Sequence, residues 1–556
     1  MKTKKFFLNS KKAILAIFLS GAIFISASYV NRNFELTKNL DIFATLYREL
    51  YVNYVDEINP SELIKTAIDS MLESLDPYTN FISESEIEEY RFMTTGQYGG
   101  IGAAIHRRDD KIVISEPYQG FPAQKAGLIA GDIILEINEN PADKLSIDDV
   151  RVLLHGQPGT ESTLKIKRYG EEEPILITLD REIIKVDNIP YYGMLDDNTG
   201  FIKLIGFTQG ASLEFREALL SLKNDHDMEN LIIDLRGNGG GLLNEAVSIV
   251  NLFIEKDKVV VETRGRITER NTTHRTLNNP VDTDIPLAVL IDRGSASAAE
   301  IVAGAIQDFD RGVVIGERTF GKGLVQNIVP LAYNTQLKVT IAKYYIPSGR
   351  CIQAIDYAQI NEDGSVAEIP DSLKVPFETQ NGRIVYDGGG IEPDIQSEKP
   401  YPASITIALI RQFFVFDYAS KYFYMNDSID SPGTFEINEN IYSDFVEFVN
   451  SGELSYETSS EEQIERIIEA AQDDDYYHLL EDYIINLKQK VEKTKADDIY
   501  THKDEIKMLL KDEIIGRYYY TKGRIKASLD ADDDIITAIE TVNNKEKYSE
   551  ILSGNL

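Results

Sequence analysis

The clearest candidate for a nucleophile is a serine at the start of a helical pattern. Ser297 lies in the small-residue segment Gly294–Glu300, directly after the apolar run Leu287–Ile291. A serine at a strand-to-helix turn presents its hydroxyl beside the first free N–H groups of the helix. A serine in this position can equally act only as a helix cap. This segment therefore leaves a nucleophile and a cap as alternatives.

A lysine between two glycines is the candidate general base. Lys322 lies in Gly321-Lys322-Gly323, and Gln326 follows four residues later. Flanking glycines allow close backbone approach, which a solvated surface lysine does not need. Burial disfavours the ammonium form and lowers the pKa of a lysine, as proton abstraction near neutral pH requires. Gln326 could hold the amine in place.

A third segment offers backbone N–H groups for an anion. The glycine-rich run Arg236–Gly241 follows the apolar strand pattern Leu231–Leu235. A phosphate-binding loop has a comparable pattern, although this run lacks the Gly-Lys-Ser/Thr ending. On its own the run predicts an anion-binding turn of either kind.

The three segments belong to a stretch that alternates strands with helices, from about Asp187 to Asp394. This alternation predicts an α/β domain whose sheet is covered by helices. The predicted strands are Gly200–Ile205, Leu231–Leu235, Leu287–Ile291, Val313–Ile315 and Leu337–Ala342. The predicted helices are Leu213–Leu222, Leu243–Phe253 and Ala298–Phe309.

Short β patterns separated by glycines precede this domain. Gly100-Ile101-Gly102 leads into them, and Ala126-Gly127-Leu128 and Gly131–Asn138 follow. The unit of about ninety residues resembles a PDZ domain. In such domains an extended peptide adds to a sheet edge, and N–H groups of a glycine loop bind its C-terminal carboxylate. The resemblance implies that Gly100, Ile101 and Gly102 form this loop. The alternative is that these glycines only shape a turn.

Helical patterns flank these two domains. Residues 34–92 begin with Leu36, Leu40 and Phe43 at helical spacing, and Asn59-Pro60 predicts a helix start. The tail beyond Ser397 is acidic, carries no catalytic motif and reads as mainly helical, for example over Ala403–Ala419, Glu461–Ala471, Tyr477–Val491 and Thr501–Tyr518. We therefore expect α/β and α+β architecture in several domains, with a PDZ domain ahead of an α/β core and helical N-terminal and C-terminal regions. The predicted division is 1–33, 34–92, 93–182, 183–396 and 397–556.

The N-terminus predicts export. Five lysines precede the uncharged stretch Ala13–Val30, which is long enough to span or nearly span a bilayer core. An uncleaved anchor is the favoured interpretation, a cleaved signal peptide ending near Ser26–Ser28 is the second, and a buried core helix is the third. Either of the first two places the rest of the chain on the periplasmic side of a bacterial inner membrane.

Composition excludes several classes of protein. The formal net charge is −34, which argues against a nucleic-acid partner because phosphates would be repelled. One cysteine, Cys351, permits no intramolecular disulfide, and it does not distinguish a reducing compartment from an oxidising one. The six histidines show no zinc-helix spacing, so we expect neither a metal nor another cofactor.

Taken together and in this order, the segments resemble the C-terminal processing peptidases, also called tail-specific proteases. The match runs from about Leu36 to Asp394 and includes the closing segment Gly388–Asp394. Ala299 and Gly239 depart from the family pattern, which often has serine and proline there, and neither residue would carry the proton transfer.

The resemblance implies roles at matched positions. It makes Ser297 the nucleophile, Lys322 the general base and Gln326 the residue that orients the lysine. It assigns the oxyanion hole to the N–H groups of Gly241 and Ala298. It gives supporting roles to Glu300, Asp308, Thr319 and Gly240.

The activity implied is that of a serine endopeptidase which cleaves exported proteins through an acyl-enzyme and reads their C-terminal tails. Polypeptides with accessible C-termini are the expected partners, together with the membrane, an activator or adaptor, and further copies of the chain. Three alternatives remain: a PDZ scaffold with an inactive core, a structural cell-envelope protein acting through its tail, and another Ser-Lys hydrolase such as an amidase.

Overall fold

A computed structural model describes residues 34–360, 366–397 and 401–554. The smaller of its two compact units contains the described residues through Phe81 together with Ile328–Leu331 and Gln336–Val339. The larger contains Ile82–Asn327, Ala332–Thr335 and the described residues from Thr340 onward. The predicted anchor or signal segment Ala13–Val30 lies outside the described residues. Among the helices that are described, none has both the length and the apolar character needed to cross a membrane.

The smaller unit contains two helices, α1 at residues 34–53 and α2 at Pro60–Glu73. The sequence signal for the start of α2 is confirmed, because the Asn59 side chain accepts a hydrogen bond from Ser61 N and Pro60 lies in the first turn. The helix ends before Asp76-Pro77, as the break in the pattern predicts.

The PDZ domain contains an antiparallel sheet within the larger unit. Its strand order is β3-β4-β5-β7-β8, with β6 paired to β5, and β2 and β9 form a separate two-stranded ribbon. The strands are β2 Gln97–Gly100, β3 Ala103–Arg108, β4 Lys111–Pro117, β5 Ile133–Ile137, β6 Asn140–Pro141, β7 Glu161–Lys167, β8 Ile175–Asp180 and β9 Glu182–Lys185, after β1 Asn80–Ile82. The helices are α3 Ile87–Thr95, α4 Pro122–Lys125 and α5 Ile147–Leu154.

The predicted α/β domain is built on a six-stranded sheet in the order β10-β11-β12-β15-β16-β23. All its neighbouring strands are parallel except β10 and β11. These strands are β10 Tyr191–Met194, β11 Thr199–Lys203, β12 Asn230–Asp234, β15 Leu287–Ile291, β16 Val313–Gly316 and β23 Ile395–Gln396. The helices are α6 Ala211–Asp225, α7 Leu243–Val250 and α8 Ala298–Asp308. The remaining strands are β13 Val259–Gly265, β14 Thr272–Arg275, β17 Leu324–Pro330, β18 Gln336–Tyr345, β19 Ile355–Ile360, β20 Val366–Glu368, β21 Pro376–Glu378 and β22 Ile384–Tyr386.

The C-terminal region is helical, as predicted. Its helices are α9 Ser404–Arg411, α10 Phe414–Met425, α11 Glu439–Asn450, α12 Ser459–Asp473, α13 Tyr477–Lys495, α14 Asp498–Thr501, α15 Lys503–Ser528, α16 Asp533–Asn543 and α17 Lys545–Ser553. The single helix predicted over Ala403–Ala419 is wrong in one respect: it is two helices, α9 and α10. They are separated at Phe413, which has a left-handed φ of 64°.

Both faces of the six-stranded sheet are covered, which explains the continuous apolar strand patterns. Leu231 and Ile233 of β12 pack with α6, α7 and α8 in one buried cluster. The intervening Ile232 packs on the opposite face in a second cluster that includes Ile535 and Val542 of α16. The end of the chain therefore forms one layer of the α/β sandwich.

The PDZ sheet also contacts the C-terminal helices. The His106 ring of β3 stacks on Phe413, with ring centroids 4.7 Å apart and planes at 9°. Arg108, two residues along the same strand, forms an ion pair with Asp417 of α10 at 2.6 Å. Alternate residues of β3 thus contact the helical region.

Candidate active site

Ser297 is the residue before the first turn of α8, at the carboxyl edge of the parallel sheet. Its backbone has φ 56° and ψ −112°, a conformation that non-glycine residues rarely adopt. Such backbone strain is of order 1–3 kcal/mol and persists only where the surroundings impose it. An ordinary helix cap has extended backbone, so the strain argues against a capping role alone.

The glycine-rich loop packs directly against this turn. A Cβ on Gly240 would lie 2.8 Å from Ser297 Cβ and 2.9 Å from Ala298 N, which is too close for any side chain. The amide of Asn238 holds the loop, because its Nδ2 donates to Leu204 O and its Oδ1 accepts from Gly240 N. Within the described residues, no acceptor is recorded for the N–H groups of Gly241 or Ala298. Gly240 thus lies directly against the backbone of Ser297 and Ala298.

Close packing also explains the glycines on either side of Lys322. A Cβ on Gly321 would lie 2.4 Å from Ala354 Cβ, and one on Gly323 would lie 2.8 Å from Gln353 N. Gly321 has φ 84°, which disfavours other residues. Lys322 itself is partly buried. The sequence predicts that the flanking glycines allow close backbone approach, and the structure has such close contacts at both Gly321 and Gly323.

Glu300 connects the serine turn to the lysine loop. Its Oε2 accepts hydrogen bonds from the backbone N of Ser297 at 2.8 Å and of Lys322 at 2.9 Å. Its Oε1 accepts from Thr319 Oγ1 at 2.6 Å and from Gly321 N at 2.8 Å. Complete burial raises the pKa of Glu300, and these four hydrogen bonds oppose the shift by favouring the carboxylate. One buried carboxylate thus fixes the two segments relative to each other.

Tyr344 of β18 makes a second connection between the same segments. Its hydroxyl lies 2.7 Å from Lys322 O and 3.1 Å from Ser297 O, and both oxygens can only accept. Burial raises the pKa of Tyr344 well above its ordinary value, so the hydroxyl keeps its proton. Sequence reasoning missed this residue, because a tyrosine in an alternating strand pattern carries no signal of its contacts.

The other predicted site residues occupy different places. Thr319 is buried and touches Glu300, and its Oγ1 also accepts from Ile391 N at 2.6 Å. Gln326 lies in β17, where its amide donates to Thr340 Oγ1 at 3.3 Å. Asp308 lies at the far end of α8, eleven residues or about 16 Å along the helix from Ser297. There it pairs with the buried Arg350 at 2.8 Å, so it supports the helix from its other end.

The glycine loop of the PDZ domain has the backbone that the sequence suggests. Gly102 has φ 74°, and a Cβ there would lie 2.6 Å from Phe121 Cβ. Ile101 is buried in the PDZ core. Among the described residues, the N–H groups of Ile101 and Gly102 have no recorded acceptor. Within residues 34–360, 366–397 and 401–554, no group of three or more His, Cys, Asp or Glu side chains is placed to hold a metal ion.

Comparisons with known proteins identify the family of each part of the chain. Residues 198–366 match the model of peptidase family S41, and residues 113–168 match a PDZ domain. Residues 405–542 match a model described as "Probable PDZ-protease, C-terminal helical domain". Along the chain, the PDZ domain comes first, the peptidase domain second and the helical domain third. This combination defines a PDZ-containing serine peptidase.

Proteins with similar sequences show which group of serine peptidases this chain resembles. The chain is 35% identical over 350 residues to a carboxy-terminal-processing protease of Bartonella bacilliformis, covering 62% of this chain and 79% of that protein. It is 34% identical over 333 residues to a probable CtpA-like serine protease of Staphylococcus aureus, covering 59% of this chain and 66% of that one. The chain belongs to peptidase family S41, among the carboxy-terminal-processing proteases.

Solved structures with related folds include a photosystem II D1 C-terminal processing protease, at 25% identity and a TM-score of 0.36. That match covers 63% of this chain and 86% of the other. The PDZ domain of a carboxy-terminal protease from Vibrio cholerae, solved with a peptide, matches 16% of this chain at 26% identity and a TM-score of 0.16. The sequence relatives do not favour the alternative of a scaffold with an inactive core.

Proposed function

We propose that this peptidase cleaves peptide bonds with a Ser-Lys dyad, Ser297 as nucleophile and Lys322 as general base. The observation that carries the proposal is the Glu300 carboxylate, which accepts the backbone N–H of both residues. This carboxylate joins a strained serine turn to a glycine-flanked lysine, and strained backbone clusters at active sites. Such preorganised geometry is what acyl transfer requires.

The proposed reaction begins when neutral Lys322 takes the proton of the Ser297 hydroxyl as its oxygen attacks the scissile carbonyl. The N–H groups of Gly241 and Ala298 stabilise the oxyanion of the tetrahedral intermediate. Lys322 returns the proton to the leaving amine, which leaves an acyl-enzyme on Ser297. Water then releases the acyl group by the same sequence. Gln326, Gly240 and Thr319 keep these groups in place.

The decisive experiment measures cleavage of an unstructured protein with an apolar C-terminus by the full chain. Ser297→Ala and Lys322→Ala should each abolish cleavage. The surface variants Ser248→Ala and Lys256→Ala are matched controls, since both residues are exposed, and they should cleave as wild type. Retained cleavage in either dyad variant, with folding intact, would contradict the proposal.

We further propose that the PDZ loop at Gly100, Ile101 and Gly102 binds the C-terminal carboxylate of substrates. The support is the pair of N–H groups at Ile101 and Gly102 without recorded acceptors in the described chain. A peptide with a free carboxylate should bind at least tenfold more tightly than its C-terminal amide, because the amide removes one charged acceptor. Fluorescence polarisation measures this, and equal affinities would contradict it. Amidation of the peptide is a cleaner test than a Gly102 variant, which would disturb Phe121.

The site of action that we propose is outside the bacterial cytoplasm, with residues 13–30 serving as anchor or as cleaved signal. The acidic composition argues against nucleic acids as substrates. The boundaries 34–92, 93–182, 183–396 and 397–556 remain our proposed division. Homo-oligomers and an activator or adaptor remain proposed partners.

A further inference from the structure

A largely buried arginine connects the glycine-rich loop to the C-terminal helices. Arg236 directly precedes Gly237–Gly241, and its side chain is only 11% exposed. Its Nη1 donates to both oxygens of Asp532, at 2.9 and 2.8 Å, and to Asp534 Oδ2 at 2.8 Å. Its Nε and Nη2 donate to Asp234 at 3.0 and 2.8 Å. Almost three hundred residues separate Arg236 from its partners in the tail.

The three carboxylates keep this arginine in one position. Burial works against its charge, yet the pKa of Arg236 is raised because Asp234 and Asp532 bind the charged form. Removing one partner of a buried ionic group leaves the remaining charges poorly compensated. A planar guanidinium with bidentate partners also has little rotational freedom. The tail therefore restrains both the position and the orientation of Arg236.

The restraint extends to the loop that follows. Arg236 O accepts a hydrogen bond from Lys203 Nζ at 2.9 Å, and Gly237 N donates to Asp292 Oδ1 at 2.8 Å. Two residues later, Asn238 O accepts from Ala296 N, one residue before Ser297. A shift of Arg236 would thus be passed to the loop at Gly240 and Gly241, where glycines offer little resistance of their own.

We propose that Asp532 is a positioning residue for the oxyanion loop, acting through Arg236, so that the C-terminal segment sets the rate of the chemical step. This inference rests on the proposed function, because it takes Gly241 N–H as an oxyanion donor. Asp532 touches neither substrate nor dyad. Its effect should appear in kcat with KM unchanged, since the transition state depends more on oxyanion geometry than ground-state binding does.

The chain allows the Arg236 contact to be separated from a second role of the same residue. Asp532 caps α16, because its Oδ1 also accepts from Asp534 N and Ile535 N. Serine is as good a helix cap as aspartate but is too short to bind Arg236. Asparagine keeps the shape and the cap and removes the charge. Asp533 is exposed in the same turn, which makes Asp533→Asn the matched control.

We expect Asp532→Ser to lower kcat about tenfold and Asp532→Asn about threefold, since a small misplacement of catalytic groups has effects of this size or greater. KM and the affinity for a PDZ peptide should stay within twofold of wild type in both variants. Asp533→Asn should match wild type throughout. Rates are expressed per folded molecule, with the folded fraction taken from near-ultraviolet circular dichroism of the tyrosines.

A wild-type kcat per folded Asp532→Ser molecule would overturn the inference. If that variant does not fold, an unchanged kcat in folded Asp532→Asn overturns it. Loss of cleavage in Ser297→Ala with normal rates in the Asp532 variants would reject this inference alone. Cleavage that survives Ser297→Ala would reject the proposed function itself, whatever Asp532 does.

Discussion

Two buried side chains join the proposed nucleophile to the proposed base. Glu300 accepts the N–H groups of Ser297 and Lys322, and the Tyr344 hydroxyl lies between the carbonyl oxygens of the same two residues. Glu300 therefore holds both peptide groups on their donor side, and the single hydroxyl proton of Tyr344 is shared between their two carbonyl oxygens, of which Lys322 O is the nearer. The positions of both side chains therefore follow from how their backbones are held.

Removing the Tyr344 hydroxyl should loosen this arrangement without opening a cavity. We expect Tyr344→Phe to lower kcat three- to tenfold with KM unchanged, because one hydrogen bond of about 1 kcal/mol to the dyad backbone is lost. Steady-state kinetics checks this. Tyr345→Phe is the control, since the neighbouring ring stacks under Arg264 at 4.3 Å on the other side of the strand. Equal rates for the two variants would contradict a positioning role for Tyr344.

Some of these site residues can be predicted from the sequence, and others cannot. Ser297 and Lys322 carry local signals, a strand-to-helix turn and flanking glycines, and the structure brings their segments together. Glu300 and Asp308 lie on the same helix and look equivalent in sequence, yet Glu300 contacts the dyad backbone and Asp308 pairs with Arg350. The difference follows from their positions along the helix relative to Ser297. Tyr344 comes from a different strand, so only the folded chain reveals it.

At the scale of elements, periodic patterns predict the sheet well because both of its faces are buried. The predicted strand Leu287–Ile291 is observed with the same bounds, and Val313–Ile315 is one residue short. The break between α9 and α10 was not predictable, because left-handed Phe413 has neither glycine nor proline beside it. Contacts with residues distant in sequence account for its conformation. The His106 ring stacks on the Phe413 ring, and the Arg108 guanidinium lies 5.0 Å from the centre of that ring.

The contact between β3 and α10 should weaken in acid. Burial lowers the pKa of His106 from its ordinary value of 6.5. The positive charges of Arg108 and Arg517 lower it further, and the negative charges of Asp417 and Glu513 oppose the shift. His106 Nδ1 pairs with Ser115 Oγ at 2.7 Å. Below the ordinary pKa the unfolded chain binds a proton that the folded chain resists, so the folded state loses stability as the pH falls.

We therefore expect the midpoint of thermal unfolding to fall between about pH 7.5 and pH 5.5 by more in wild type than in His106→Gln, which cannot titrate. Scanning calorimetry at the two pH values measures the difference. His226→Gln, at an exposed position, is the control and should behave as wild type. An equal fall in wild type and His106→Gln would show that other groups dominate the acid response.

At the scale of the whole molecule, the last helices belong structurally to the peptidase sheet. Ile535 of α16 is 1% exposed and packs on the sheet beside Ile232 and Leu290. Its neighbour Ile536 is 41% exposed. This layer could not be assigned from sequence, because an amphipathic helix pattern shows that a face is buried and does not show against what.

Ile535→Ala should lower the free energy of unfolding by about 2–4 kcal/mol, as large-to-small changes in a packed core do. Ile536→Ala should change it by less than about 0.5 kcal/mol, since surface substitutions are usually within that range. Urea unfolding of both variants gives the comparison. Similar values for the two would mean that α16 does not share the core of the sheet.

The position of α16 and α17 also has a consequence for the timing of synthesis. Ribosomes make the chain from its N-terminus, so the segments carrying Ser297 and Lys322 emerge about 230 to 250 residues before Ile551, which closes the second face of the sheet. During that interval the sheet has one uncovered apolar face, and Arg236 lacks its tail partners. A nascent or prematurely terminated chain therefore holds an incomplete peptidase.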